Sequence, residues 1–119
     1  MGDDHPLIAF GKIYLARVHL ARKEPAAAEP LARDALRIRQ RLYPTEDWRV
    51  AVPMSVLGAA LMALARYDEA EVLLNAQRVL KDIPGAQGQE ARATRTRLVA
   101  LYEAWGRPEK AAVYRASSR

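Results

Sequence analysis

The chain contains no cysteine, which excludes disulfides, thiolate zinc sites, iron–sulfur clusters and cysteine nucleophiles together. Aromatic residues make up only 7% and include a single phenylalanine, so few rings remain for base stacking once a core is filled. Histidine occurs only at His5 and His19, and two isolated imidazoles do not make a multi-ligand metal site. No glycine-rich phosphate loop, His-Arg-Asp stretch or Asp-Phe-Gly occurs, which removes kinase chemistry. Long apolar runs are missing too. The longest apolar-rich stretch, residues 50–65, carries Pro53 and falls short of the roughly 20 residues a spanning helix needs. The start, Met1 to Pro6, is acidic and polar, unlike a secretory signal. A soluble, cytoplasmic protein with no membrane segment is expected.

What is present points to one folded domain over residues 1–119. Half of the residues are hydrophobic and 28% are charged, which argues against disorder. A chain of this length buries roughly two-thirds of its unfolded surface. The net charge is +5 and is unevenly placed. Residues 1–75 hold 10 basic and 10 acidic side chains, whereas residues 76–119 hold 9 basic and 4 acidic. An excess of this kind suits an acidic protein, a nucleic acid or a membrane surface. An arginine-rich solvated helix face accounts for it equally simply and is the reading preferred.

The chain repeats itself. Ala28, Ala70 and Ala111 stand about 42 residues apart. Each is preceded at a fixed distance by Leu15-Ala16, Leu57-Gly58 or Leu98-Val99, with His19, Leu61 and Tyr102 four residues after the leucines. Leu31, Leu73 and Tyr114 follow the alanines in the same register. Apolar spacings of three and four, as at Val56, Leu57, Leu61 and Leu64, are helical, and strand alternation is missing. The expected helices run over about 6–22, 26–42, 48–65, 68–82, 89–105 and 108–116, uncertain by ~2–4 residues at each end. They pair into repeats over 6–42, 48–82 and 89–116. Pro25 and Pro108 suit first helical positions, and residues 83–88 form the clearest loop. Pro53 predicts a kink or a late helix start, and Pro30 a bend. The short turns at Lys23-Glu24, Arg66-Tyr67 and Gly106-Arg107 force antiparallel neighbours. Ala16, Gly58, Ala28, Ala70 and Ala111 then let the two helices of a hairpin approach closely, and adjacent hairpins must stack to bury both faces.

The Leu-Ala or Leu-Gly pair, the large residue four positions on and the small alanine of the second helix resemble the tetratricopeptide repeat family. Ala28-Glu29-Pro30-Leu31 and Asp4-His5-Pro6 resemble its kinesin-light-chain type. Residues 98–112, from Leu98-Val99-Ala100 to Ala111-Ala112, resemble the closing repeat of arrays in bacterial serine/threonine-protein kinases. The asparagines such repeats often carry before the Leu-Ala pair are Tyr14, Val56 and Arg97 here, and turn glycines are replaced by Lys23 and Ala65. Gln77 stands where the second helix usually has alanine. The resemblance implies an all-α, right-handed superhelix of about three helix-turn-helix repeats, as a fragment of a longer array or complete in itself. It also implies a protein–protein interaction module or scaffold, a regulatory segment of a larger bacterial signalling protein.

The first helices of such repeats line a concave groove. The residues expected there are Ile13, Arg17 and Leu20, then Ser55, Ala59 and Met62, then Thr96, Ala100 and Glu103, each set on one helical face. A partner peptide or protein is expected in this groove, with no enzyme activity, small-molecule substrate, metal or cofactor. Two alternatives stay open. One is a self-associating spacer or homodimer, held through an exposed face around Leu7, Ile8 and Leu42. The other, less favoured, is a nucleic-acid binder using Arg33, Arg37 and Arg41 with Arg92, Arg95 and Arg97.

Overall fold

The computed structural model describes residues 5–81, 83 and 86–116. Among them every regular element is helical: α1 (Pro6–Ala21), α2 (Pro25–Leu42), α3 (Trp48–Ala63), α4 (Tyr67–Ala70), α5 (Val72–Leu80), α6 (Ala86–Ala104) and α7 (Pro108–Ala116). α1 packs on α2, α2 on α3, α3 on both α4 and α5, α5 on α6 and α6 on α7, and α3 also touches α1 and α6. Three helical hairpins therefore stack side by side into a body of 46 × 30 × 21 Å. α1, α3 and α6 form one layer, and α2, α4–α5 and α7 the other.

The three hairpin turns are built alike. Lys23 (φ 61°), Ala65 (φ 60°) and Gly106 (φ 75°) occupy the same repeat position and all lie in the left-handed region. The residue after each donates its N–H back to the closing turn of the helix: Glu24 to His19 O at 2.8 Å, Arg66 to Leu61 O at 2.9 Å and Arg107 to Tyr102 O at 2.7 Å. This satisfies a carbonyl that the helix end would otherwise leave open. A side chain in the left-handed region costs ~1–2 kcal/mol, so the return hydrogen bond of each turn offsets the cost of holding exposed Lys23 and Ala65 in a conformation that glycine adopts freely.

Between the turns, small residues set the spacing. Ala16, Ala28, Ala70 and Ala111 are fully buried. A Cβ added to Gly58 would meet the Leu73 side chain, with Cδ2 at 2.6 Å. α3 lies between two neighbours and buries almost every residue from Val50 to Leu61. The third hairpin closes on rings instead: Tyr102 stacks with Trp105 and Tyr114, and its hydroxyl donates to Glu71 at 2.9 Å. Burial, together with the Glu71 carboxylate, raises the Tyr102 pKa. Leu15 is 48% exposed, although its counterparts Leu57 and Leu98 are buried, because α1 has a stacking neighbour on one side only. Leu7 and Leu42 are exposed, while Ile8 is half-buried.

Several expectations change in detail. Pro53 neither delays nor ends its helix, because α3 starts at Trp48 and runs through it. A proline there removes the bond that would reach the carbonyl of residue 49. Arg39 of α2 donates to that Arg49 carbonyl at 3.1 Å, so the vacated acceptor is filled from outside the helix. Pro30 likewise lies inside α2. The fourth helix is broken at Glu71 into α4 and α5. The loop expected over 83–88 is shorter, since α6 begins at Ala86; Asp82, Pro84 and Gly85 lie outside the described residues. Gln77 is buried, and its Oε1 has no hydrogen-bond partner among the described residues.

Two outcomes follow from this packing. Gly58→Ala is expected to lower stability by ~1–3 kcal/mol in urea unfolding, because the overlap with Leu73 exceeds the gain in helix propensity. Asp47 caps α3, accepting from Arg49 N at 2.8 Å, and Arg49 holds its carboxyl down at about 2, from an ordinary 3.8. A depressed carboxylate stabilises the fold above its ordinary pKa and loses that contribution as it protonates. Asp47→Ala should therefore cost about 1 kcal/mol at neutral pH. The difference from the parent protein should shrink as the pH falls from 3.8 toward 2, measured by unfolding across that range.

Candidate partner-binding groove

The layer of α1, α3 and α6 holds a cavity of about 630 Å³. α1 contributes Phe10, Ile13, Tyr14 and Arg17; α3 contributes Trp48 and Val52; α6 contributes Gln89, Glu90 and Ala93; Arg39 reaches it from α2. Helical spacing explains the α1 set, since residues 10, 13, 14 and 17 fall on one face. Phe10 and Tyr14 are unusually open for rings, at 63% and 62% exposure, whereas Ile13 forms the cavity floor at 3%.

A chain of polar contacts ties the three helices together beneath the cavity. Arg17 donates to Glu90 at 2.8 Å, linking α1 to α6. Arg97 donates to the other Glu90 oxygen at 3.0 Å and to Ser55 Oγ at 2.6 Å. Ser55 and Thr94 share a hydrogen bond of 2.5 Å, and Thr94 donates to the Glu90 carbonyl at 2.7 Å. Glu90 is thus a carboxylate, largely out of water, held between two guanidinium groups. Next in sequence to Trp48, Arg49 lies 3.8 Å over the Tyr43 ring and donates to both Asp47 oxygens, at 2.8 and 2.9 Å.

The nine expected groove residues are divided by the structure. Ile13 and Arg17 line the cavity, and Leu20 is half-buried nearby on α1. Ser55 is fully buried and committed to Thr94 and Arg97; Ala59 is buried at 9% exposure. Met62 is half-buried against the core. Thr96, Ala100 and Glu103 line a separate cleft of about 440 Å³ with Arg92, Arg95, Val99, Tyr114 and Arg115, and Glu103 is paired with Arg115. The spacing rule placed all three sets on equivalent faces, but α3 is covered from both sides, so Ser55 and Ala59 are buried while Met62 keeps part of its surface.

Phe10, Tyr14, Arg39, Trp48 and Glu90 were not among the expected groove residues. One signal for Tyr14 was available: it occupies the position where the resemblance places asparagine, the position from which Arg97 also reaches the polar chain. Both histidines have structural partners. His5 Nδ1 caps α1 by accepting from Leu7 N at 3.0 Å. His19 Nδ1 lies 2.9 Å from Glu24, a contact that lowers the Glu24 pKa. No group of three His, Cys, Asp or Glu residues is placed to hold a metal ion among the described residues. Among the described residues no helix is long and apolar enough to cross a membrane.

Residues 13–48 match the tetratricopeptide repeat family. The match begins at the cavity floor, covers the first turn and α2, and ends at Trp48 on the opposite cavity wall. With the helix order, this gives an all-α fold of the tetratricopeptide-repeat kind. Such repeats generally mediate protein–protein interaction. No curated protein matches the chain.

Glu90→Gln tests the polar chain. Glutamine keeps one acceptor oxygen but loses the charge and replaces the other oxygen with a donor, so Arg17 and Arg97 can no longer both be matched, and unfolding in urea should show a loss of about 1–3 kcal/mol. The loss should shrink when Arg17 is also replaced by Gln, since part of it comes from the stranded guanidinium.

Proposed function

We propose that the cavity between α1, α3 and α6 receives a segment of a partner protein, and that the chain is a scaffold or regulatory interaction module. One observation carries this reading: two rings, Phe10 and Tyr14, stand more than half exposed at the mouth of a cavity whose floor and far wall are Ile13, Val52 and Trp48. Rings left in water beside an apolar hollow are suited to gripping an incoming side chain, with little entropy lost on ordering. A cavity of this size also falls in the range of roughly 300–1,000 Å³ usual for ligand pockets. The similarity of residues 13–48 to an interaction repeat supports the same conclusion.

The resemblance of residues 98–112 to kinase-linked arrays supports a place within a larger bacterial signalling protein in the cytoplasm. Ala28-Glu29-Pro30-Leu31 supports the kinesin-light-chain type of repeat.

The test uses peptides selected on this protein from a random displayed library. Replacing Phe10 and Tyr14 together by alanine should weaken the selected peptides about tenfold or more by fluorescence anisotropy. Stability should stay within roughly 0.5 kcal/mol, because both rings are surface groups. Peptides that bind the double variant unchanged would overturn the reading.

A further inference from the structure

Of the two arginines that line the cavity, Arg17 and Arg39, one has no ion pair among the described residues. Arg17 is matched by Glu90, and Arg49 by Asp47. Arg39 lines the same cavity, is half-buried, and forms no ion pair among the described residues. Its one hydrogen bond is to the Arg49 carbonyl at 3.1 Å, the acceptor that Pro53 leaves vacant. A guanidinium has five N–H donors in a planar fork, so most of its donor capacity remains unused. The ionisable groups around it are Arg17, Arg49, Tyr43 and Asp47, of which Asp47 is the one anion at neutral pH. Asp47 gives both oxygens to Arg49, and Glu90, on the facing wall, already accepts from Arg17 and Arg97. Burial first, then the positive charges of Arg17 and Arg49, push the Arg39 pKa down, against the pull of the Asp47 carboxylate. A half-buried positive charge without a counterion is costly, and a planar fork is matched best by a carboxylate.

The rest of the wall narrows the choice of ligand. Phe10, Ile13, Trp48, Val52 and Ala93 surround the charged groups with apolar surface. A nucleic-acid backbone needs a continuous basic track, which this wall does not provide. A peptide segment can place a carboxylate and an apolar side chain side by side.

We propose that Arg39 determines specificity in this groove, and that the occupant is an acidic peptide segment whose Asp or Glu carboxylate pairs with Arg39 while a neighbouring apolar side chain packs against Phe10, Tyr14 and Trp48. The inference rests on the groove reading and adds the chemistry of the occupant. Pro53 takes part indirectly: by freeing the Arg49 carbonyl it supplies the anchor that holds the guanidinium at the cavity wall.

The experiment is a selection of random displayed peptides on the parent protein, with affinities then measured on the parent and on Arg39→Gln. Glutamine keeps an N–H for the Arg49 carbonyl, and thermal melting checks the fold. Selected peptides should carry Asp or Glu beside a large apolar residue. Changing that acid to its amide should weaken binding to the parent about tenfold or more, the loss of a charge-assisted pair. The same change should have little effect on binding to Arg39→Gln. If Arg39→Gln does not fold, the acid-to-amide peptide pair on the parent protein decides alone. Neutral or basic selected peptides that still require Phe10 and Tyr14 would overturn the role of Arg39 and leave the groove reading standing. No enrichment, or binding indifferent to Phe10 and Tyr14, would overturn both.

Discussion

Helix stacking in this protein depends on how closely α3 and α5 approach at Gly58. Leu73 sits where a Cβ on Gly58 would be, and Ala16 and Leu31, then Val99 and Tyr114, hold the same repeat positions in the neighbouring hairpins. Close approach lets each hairpin bury one face internally and offer the other to the next. α3 consequently loses almost all contact with water from Val50 to Leu61. α1, α3 and α6 are left side by side, and the hollow between them is the candidate site.

The same packing couples fold to groove through backbone chemistry. A proline inside α3 would ordinarily leave a carbonyl without a partner at a cost of a few kcal/mol. Here the Arg49 carbonyl accepts from Arg39, so a defect in one helix fixes a charged side chain of another at the cavity wall. Glu90 does the corresponding work on the far side, joining Arg17 of α1 to Arg97, which in turn reaches Ser55 of α3. The groove walls are therefore held by polar contacts, of which those of Arg39 and Arg97 are part-buried and so less screened than the exposed Arg17–Glu90 pair.

Local rules read the helices and turns well because their causes are local. Proline at the start of α2 and α7 and the reversals at Lys23, Ala65 and Gly106 depend on a few neighbouring residues. The misses have non-local causes. The helix around Glu71 breaks where that residue bonds Tyr102 of α6. Pro53 is accommodated because α2 supplies a donor. Ser55 met the spacing rule for the groove but is closed off by Thr94 and Arg97.

The order of residues by itself determined that the chain is helical, that it repeats at about 42 residues, and where small side chains must stand, because helix period and chain reversal are properties of short segments. Only the stacked structure decided which faces stay open. A period tells which residues share a side of one helix, but exposure depends on how many neighbours that helix has. α1 has one flank open and keeps Phe10 and Tyr14 in water, α3 has neither, and Arg39 reaches the groove from the outer layer.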